Sequence, residues 1–432
     1  MQHLIKKQVI NLQLNKETDA FRVQQTVSTC YRQHLLPLLE NIFNEMSSAD
    51  EVIHIDHLEI DLGMVSEEEM IKGDWGNTVL LKIKEQLYRQ VKKNREVKAD
   101  KQETVAFNSC RQWLFYMQKG YLSWNTMQVN DVWYEQVLGT LAVDFESIAA
   151  LRRLIRQQYA VIRRIAGQHK EKFLLQLLTV LTAGNQQELA ERINEMQRQF
   201  IAKTKPVPTP VQVKEYREKL WERLIFLAAG SKKELHAELL IKEMEKPRDA
   251  DILPAPEPTG EEKIDNDGLF VYDAGMVLIH PFLSALFNRL QWLSQGKFND
   301  EHCRQKALYV LHYAATGREE AEEYELVVPK ILCNWPLAMP VQKDMELKKE
   351  ELLEADNMLR AVIDQWKVLQ NTSPDGLREG FLQRKGKYFK RNDKRYLQIE
   401  STSIDVLLDQ LPWNLGIIKL PWMKDMLWVE WR

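Results

Sequence analysis

The run His54-Ile55-Asp56-His57 places two imidazoles and a carboxylate within four residues, side chains that could bind a divalent metal or move a proton. The surrounding segment, Val52 to Leu62, has a strand-like pattern. On a strand, positions three apart face opposite sides, so His54 and His57 cannot converge on one ion. They read as surface or pairing residues. Asp265-Asn266-Asp267-Gly268 has the spacing of a calcium loop, but Lys263 and Ala274 stand where that loop needs acidic ligands, which leaves a polar turn. Gly380 to Lys387 has the outline of a phosphate-binding loop. Five residues separate its glycines, however, and Tyr388 stands where a Ser or Thr should hold magnesium. Gly-x-Ser-x-Gly, His-Glu-x-x-His and Gly-x-Gly-x-x-Gly do not occur. Scattered carboxylates could still pair in space, as in a glycosidase. The reading is a chain with no catalytic site, no metal and no cofactor.

Two other groupings remain. Between Ser147 and Ala166, at about 100° per residue, Ile148, Leu151, Leu154, Ile155, Tyr159, Val161, Ile162 and Ile165 share one side of a helix. Arg152, Arg153, Arg156, Arg163 and Arg164 fall in the opposite arc. No aromatic residue is interleaved to stack on bases, which argues against nucleic acid. A solvated face, or one docked on an acidic protein surface through Arg152, Arg156 and Arg163, is expected instead. At the C-terminus, Trp413, Trp422, Trp428 and Trp431 put four of the chain's 12 tryptophans in the last twenty residues. Leu411-Pro412-Trp413 recurs as Leu420-Pro421-Trp422. These rings suit the core of a small sheet, or the anchors of an interface.

Composition bounds the rest. The 432 residues are 44% hydrophobic and 28% charged, enough to bury a core, and the net charge of -3 draws the chain neither to nucleic acid nor to an anionic membrane. Cys30, Cys110, Cys303 and Cys333 are far apart and fit a reducing compartment. The longest apolar stretch, Phe173 to Ala183, is well short of the roughly 18 residues of a membrane span. No targeting segment is visible, and a cytoplasmic protein is expected.

The elements that must position these residues are mainly α-helical, with small α+β regions at both ends. Residues 1–97 read as a β-α-β-α unit. Ile10, Leu12 and Leu14 alternate, and a long helix follows with Pro37 expected to kink it. In the next strand-like stretch Ile53 and Ile55 are apolar on odd positions, and Leu58, Ile60 and Leu62 on even ones. Such a switch of face suggests a bulge or break near Asp56-His57. A further helix spans roughly Thr78 to Lys93. Residues 98–247 read as helical throughout, with a stiff connector at Thr204 to Pro210 and a split at Gly230-Ser231. Residues 248–267, rich in proline and acid, read as a flexible linker. Residues 268–432 begin helical (Met276–Leu290, Glu301–Ala315, Lys348–Val368) and end in a small antiparallel sheet. There, Tyr388–Lys390 and Tyr396–Ile399 flank Asn392-Asp393 as a tight hairpin, and Leu415–Leu420 and Met426–Trp431 form further strands. No heptad persists, so no long coiled coil is expected.

Several segments are similar to a known family. Ala20-Phe21-Arg22 to Leu36-Pro37-Leu38-Leu39-Glu40, followed by Val52 to Gly63, resembles the start of the tape measure proteins of bacterial contractile injection systems. Gly275 to Pro281-Phe282-Leu283, Ala314-Ala315-Thr316-Gly317, Asn371 to Arg378, Asp405 to Trp413, and Ile418 to Trp431 resemble that family's other shared region. The resemblance covers about 1–65 and 265–432; residues between match only in being helical. His54 and His57 stand where the family carries arginines. The resemblance implies a structural component of a phage-tail-like syringe, a tape measure in the lumen of the inner tube that sets its length. Inner-tube and baseplate or hub proteins would be its partners. A compact assembly factor of the same particle is the alternative, since short amphipathic helices collapse into bundles rather than stay extended. A tube-associated cell-wall hydrolase is a weaker one.

Overall fold

The computed structural model describes residues 3–13, 20–46, 48, 50–55, 57–61, 63–64, 76–97, 104–126, 128–230, 268–343 and 345–431. The expected linker 248–267, the helix expected after Gly230, and Asp56 and Leu62 lie outside these. The chain divides into two compact units, Met1–Ser109 and Cys110–Arg432.

In the first unit, α1 (Ala20–Cys30) and α2 (Leu36–Met46) are joined by a π turn, Tyr31–Leu35. Pro37 explains that turn. Proline donates no backbone hydrogen bond and its ring clashes with the carbonyl four residues back. The wider turn relieves the clash, and Leu36 N–H donates to Tyr31 O, five residues behind it. Leu39, Ile42 and Met46 are spaced to share a face and pack with Ile83 and Leu87 of α3 (Gly76–Val97). Ile53, Ile55, Leu58 and Ile60 all lie against this same cluster. The change from odd to even positions therefore keeps the apolar side chains turned inward along an extended segment that forms no strand ladder among its described residues; Glu51 makes a single bridge to Thr104.

The second unit begins within α4 (Val105–Lys119) and continues through α5 (Asp131–Val143), α6 (Phe145–Gln157), α7 (Tyr159–Gln168), α8 (Glu171–Thr182), α9 (Gln186–Lys203) and α10 (Pro210–Gly230). Side-chain caps fix three starts: Asn130 accepts from Trp133 N–H, Asp144 from Ser147 N–H, and Asn185 from Gln187 and Glu188 N–H. The core of these helices includes Trp113, Val137, Ile155, Ile165, Leu178 and Ile225.

The single helix expected from Ser147 to Ala166 is two. Gln158 adopts φ -128°, ψ 111°, an extended conformation that ends α6 and starts α7. In one continuous helix Arg164 would lie about 20° from Arg153, eleven positions earlier. The break re-phases α7, so Arg153 stays exposed while Arg164 is fully buried.

The rest of this unit packs α11 (His280–Arg289), α12 (Glu301–Thr316), α13 (Val327–Leu332) and α14 (Lys349–Gln365) beside a five-stranded sheet. Its strands are β1 (Leu269–Val271), β4 (Gly386–Arg391), β5 (Lys394–Ile399), β6 (Ile417–Ile418) and β7 (Leu427–Glu430), in the order β1-β4-β5-β7-β6. A separate two-stranded ribbon joins β2 (Leu293–Ser294) to β3 (Lys297–Phe298). The hairpin forms at the expected dipeptide: Asn392 and Asp393 have φ 51° and 58°, the left-handed pair of a type I′ turn. The sheet is mixed, because β5 and β7 run parallel. Residues 400–426 separate those strands, long enough for the crossover that parallel pairing needs. Alternation gives the sheet one buried face, with Val271, Tyr388, Leu397, Ile399, Ile418 and Leu427 in the core.

Candidate functional site

The groupings that suggested chemistry are dispersed. His54 is half-buried and His57 is exposed, 3.9 Å from Glu59. Gly380 lies in the π turn Arg378–Leu382 and Lys387 in β4, so that stretch is not a phosphate-cradling loop. Of the calcium-like run only Gly268 is described; it takes φ +72° as β1 begins. No cluster of three or more potential metal ligands occurs among the described residues.

Of the five arginines on α6 and α7, Arg153 is exposed and the other four each do something different. Arg152 donates to Ala228 O at 3.1 Å and to Leu181 O at 2.6 Å, so one guanidinium joins the last described turn of α10 to the last turn of α8. Arg156 is exposed, its guanidinium 5.9 Å from the Phe226 ring. Arg163 is half-buried, 3.9 Å from Glu222 and 6.0 Å from the Tyr159 ring. Arg164, expected with the others on a solvated arc, is inside.

Arg164 and Glu323 form a two-pronged ion pair, Nε to Oε2 at 2.9 Å and Nη2 to Oε1 at 3.1 Å, with neither side chain exposed. Lys330 Nζ reaches the same carboxylate at 2.6 Å and is equally buried. The two cations outnumber the carboxylate, and backbone carbonyls accept further hydrogen bonds from both. Arg164 donates to Met117 O at 2.5 Å and Ala338 O at 2.7 Å, and Lys330 to Leu337 O and Met339 O, each at 3.0 Å. Around this centre Gln168 donates to Val341 O, and Lys343 donates to Gln168 O and to Glu322. The end of α7 is thereby bolted to the segment 322–343. Gly120, at φ +80°, lies against the triad. A Cβ there would stand 2.6 Å from Leu337 O, 2.7 Å from Arg164 Nη2 and 2.9 Å from Glu323 Oε1. Nothing in the sequence pattern marks Glu323 or Lys330 as partners of Arg164.

The four C-terminal tryptophans also divide. Trp413 Nε1–H donates to Leu278 O at 3.0 Å and its ring meets Phe282; Trp422 Nε1–H donates to Leu332 O at 2.8 Å and its ring meets Phe287 and Phe298. Each copy of Leu-Pro-Trp thus clips the terminal segment to a carbonyl of the helical layer. Trp431 is buried in the same core. Trp428 stands on the outer face of the sheet.

That outer face holds a cross-strand row. Phe389 pairs with Tyr396, Tyr396 with Trp428, and Trp428 with Ile417. Phe389 and Tyr396 stack with centroids 5.4 Å apart and planes at 12°; Tyr396 and Trp428 are 6.3 Å apart at 29°. Arg391 lies 4.3 Å from the Tyr396 centroid and Lys394 4.6 Å from that of Trp428. Half of this row was within reach of the sequence. A two-residue turn at Asn392-Asp393 fixes the register, which sets Phe389 opposite Tyr396.

No helix among the described residues is long and apolar enough to cross a membrane. No curated protein and no solved structure matches the chain. One family model does match, over residues 2–431, and its description is contractile injection system tape measure protein. The match runs through the helical middle as well as the two ends, so the likeness extends beyond 1–65 and 265–432. On this match over nearly its whole length, the chain belongs to the contractile injection system tape measure protein family.

Proposed function

We propose that this chain is the tape measure of its injection particle: a structural, non-catalytic component that sets the length of the inner tube. It would be made in the cytoplasm and occupy the tube lumen after assembly, held at its ends by inner-tube and baseplate or hub proteins. The observation that carries this reading is the family match over residues 2–431. On this reading the helical middle is the ruler. Its helices, from Asp131–Val143 to Pro210–Gly230, run from 10 to 21 residues and are joined by brief connections, so they can be drawn out one after another. A helix advances about 1.5 Å per residue, so 432 residues drawn out as helix would reach about 650 Å. Tube length measured for a graded series of insertions in the middle tests this.

A second reading has its own support. The Arg164–Glu323–Lys330 triad ties the helical middle to the segment 322–343, and such a tie favours a compact assembly factor that never extends. On that reading the same insertions leave tube length unchanged.

A further inference from the structure

The outer face of the sheet combines a row of rings with cations beside them, a chemistry that restricts what could dock there. The row Phe389–Tyr396–Trp428 is half-exposed, with Ile417 at one end 43% exposed; on β1, Phe270 is also 43% exposed. The polar residues among these side chains are mostly cationic. Lys387 lies 5.9 Å from the Phe270 centroid, Lys394 lies over Trp428, and Arg391 lies over Tyr396. The one carboxylate of the row's strands on this face, Glu430, is held by Arg391 at 2.8 Å. The ammonium groups of Lys387 and Lys394 therefore remain without a carboxylate among the described residues.

The orientation of the rings separates the candidate partners. A surface that binds single-stranded nucleic acid offers ring faces on which bases stack. Here the faces are turned toward one another and toward the cations; the three rings form a file in which each covers its neighbour. What such a file leaves toward solvent is ring edges. Aromatic edges carry partial positive charge, and the cations add full charges beside them. Both complement carboxylates, while the apolar rims of Ile417 and Phe270 complement aliphatic side chains.

We propose that this face docks an acidic protein segment that alternates carboxylates with aliphatic residues, its carboxylates meeting Lys387 and Lys394 and its apolar side chains lying on the Phe389–Tyr396–Trp428 row. The site is independent of whether the chain measures length.

The test uses the full-length protein and three fluorescein-labelled probes: a twelve-residue peptide alternating Glu and Leu, the same peptide with Gln for Glu, and a twelve-nucleotide oligothymidylate. Anisotropy titrations should show saturable binding of the Glu peptide that weakens as salt is raised. The Gln peptide and the oligothymidylate should bind at least tenfold more weakly. Lys387→Glu with Lys394→Glu should reduce affinity for the Glu peptide at least tenfold, with far-UV circular dichroism unchanged. If that double variant does not fold, Lys387→Gln with Lys394→Gln, which adds no charge, should give a loss of severalfold. Absence of binding, equal binding of the Gln peptide, preference for oligothymidylate, or indifference to both double variants would overturn the proposal.

Discussion

Arg164 and Glu323, 159 positions apart in the sequence, meet in a fully buried two-pronged ion pair at 2.9 and 3.1 Å. Burial gives the pair its leverage. Both charges have left water, so Arg164 without Glu323 is an uncompensated charge in a low-dielectric interior, whereas Glu323 without Arg164 keeps Lys330 as its partner. Lys330 raises the stakes, because loss of Glu323 strands two cations rather than one.

Arg164→Ala opens a cavity and takes the donors from Met117 O and Ala338 O, and is expected to destabilise the protein by about 2–5 kcal/mol, measured by urea denaturation. Arg153→Ala, at an exposed position on the neighbouring helix, should change stability by less than about 0.5 kcal/mol. Gly120→Ala should behave like the Arg164 variant without altering any charge. It forces a Cβ against Arg164 and Glu323 at a left-handed backbone position. Equal stabilities for all three variants would show that the triad does not hold the unit together.

The two Leu-Pro-Trp copies predict a different series. Trp422→Phe keeps a ring against Phe287 and Phe298 but loses the donor to Leu332 O, which should cost about 1 kcal/mol. Trp422→Ala and Trp413→Ala should each cost about 3–5 kcal/mol. Trp428→Ala, on the outer face, should cost distinctly less. Thermal denaturation of the four variants orders them, and a Trp428 variant as unstable as the others would place that ring's role in folding rather than docking.

His169 makes a pH prediction. Its ring accepts from Trp113 Nε1–H at 3.0 Å, lies 3.0 Å from Ile165 O and stacks on Phe173. Burial pushes its pKa down to about 3 from 6.5, and the charge of Lys343 lowers it further. Between these values the unfolded chain binds a proton that the folded chain does not, so this group's contribution to stability rises with pH and is lost as pH falls below about 6.5. From pH 7.5 to 5.5 the loss from this group is about 1.4 kcal/mol. His312, lowered to about 4, acts in the same direction. Asp273, raised to about 6 by burial, acts oppositely between 3.8 and 6. The contribution of His169 is isolated by comparison with His169→Asn, whose unfolding free energy should fall less over the same range. Parallel pH profiles would contradict the assignment.

The sequence made some of this legible and hid the rest for physical reasons. Helices declare themselves through periodicity, and the hairpin through Asn392-Asp393, because each is encoded by neighbours. The break at Gln158 is not: no Gly or Pro marks it, and the apolar period continues across it. Arg164 consequently read as one of a solvated set, and only the re-phased helix carries it inward. Glu323 and Lys330 were invisible for a related reason, since a contact between distant segments leaves no local pattern. The four tryptophans stand out as a group in the sequence, but burial depends on which sheet face or helix end each one meets, and that separates Trp428 from Trp413, Trp422 and Trp431.

The central claim is that the chain sets tube length, and electron microscopy of assembled particles measures that directly. Insertions of about 14 and 28 residues of helical sequence into the exposed connector between α9 and α10, at Lys205 to Val207, leave the packed faces of both helices intact. At about 1.5 Å per residue, the tubes should lengthen by about 21 and 42 Å, rounded to whole rings of the tube. Well-formed tubes of unchanged length across the series would contradict the tape measure reading and leave the compact assembly factor in its place.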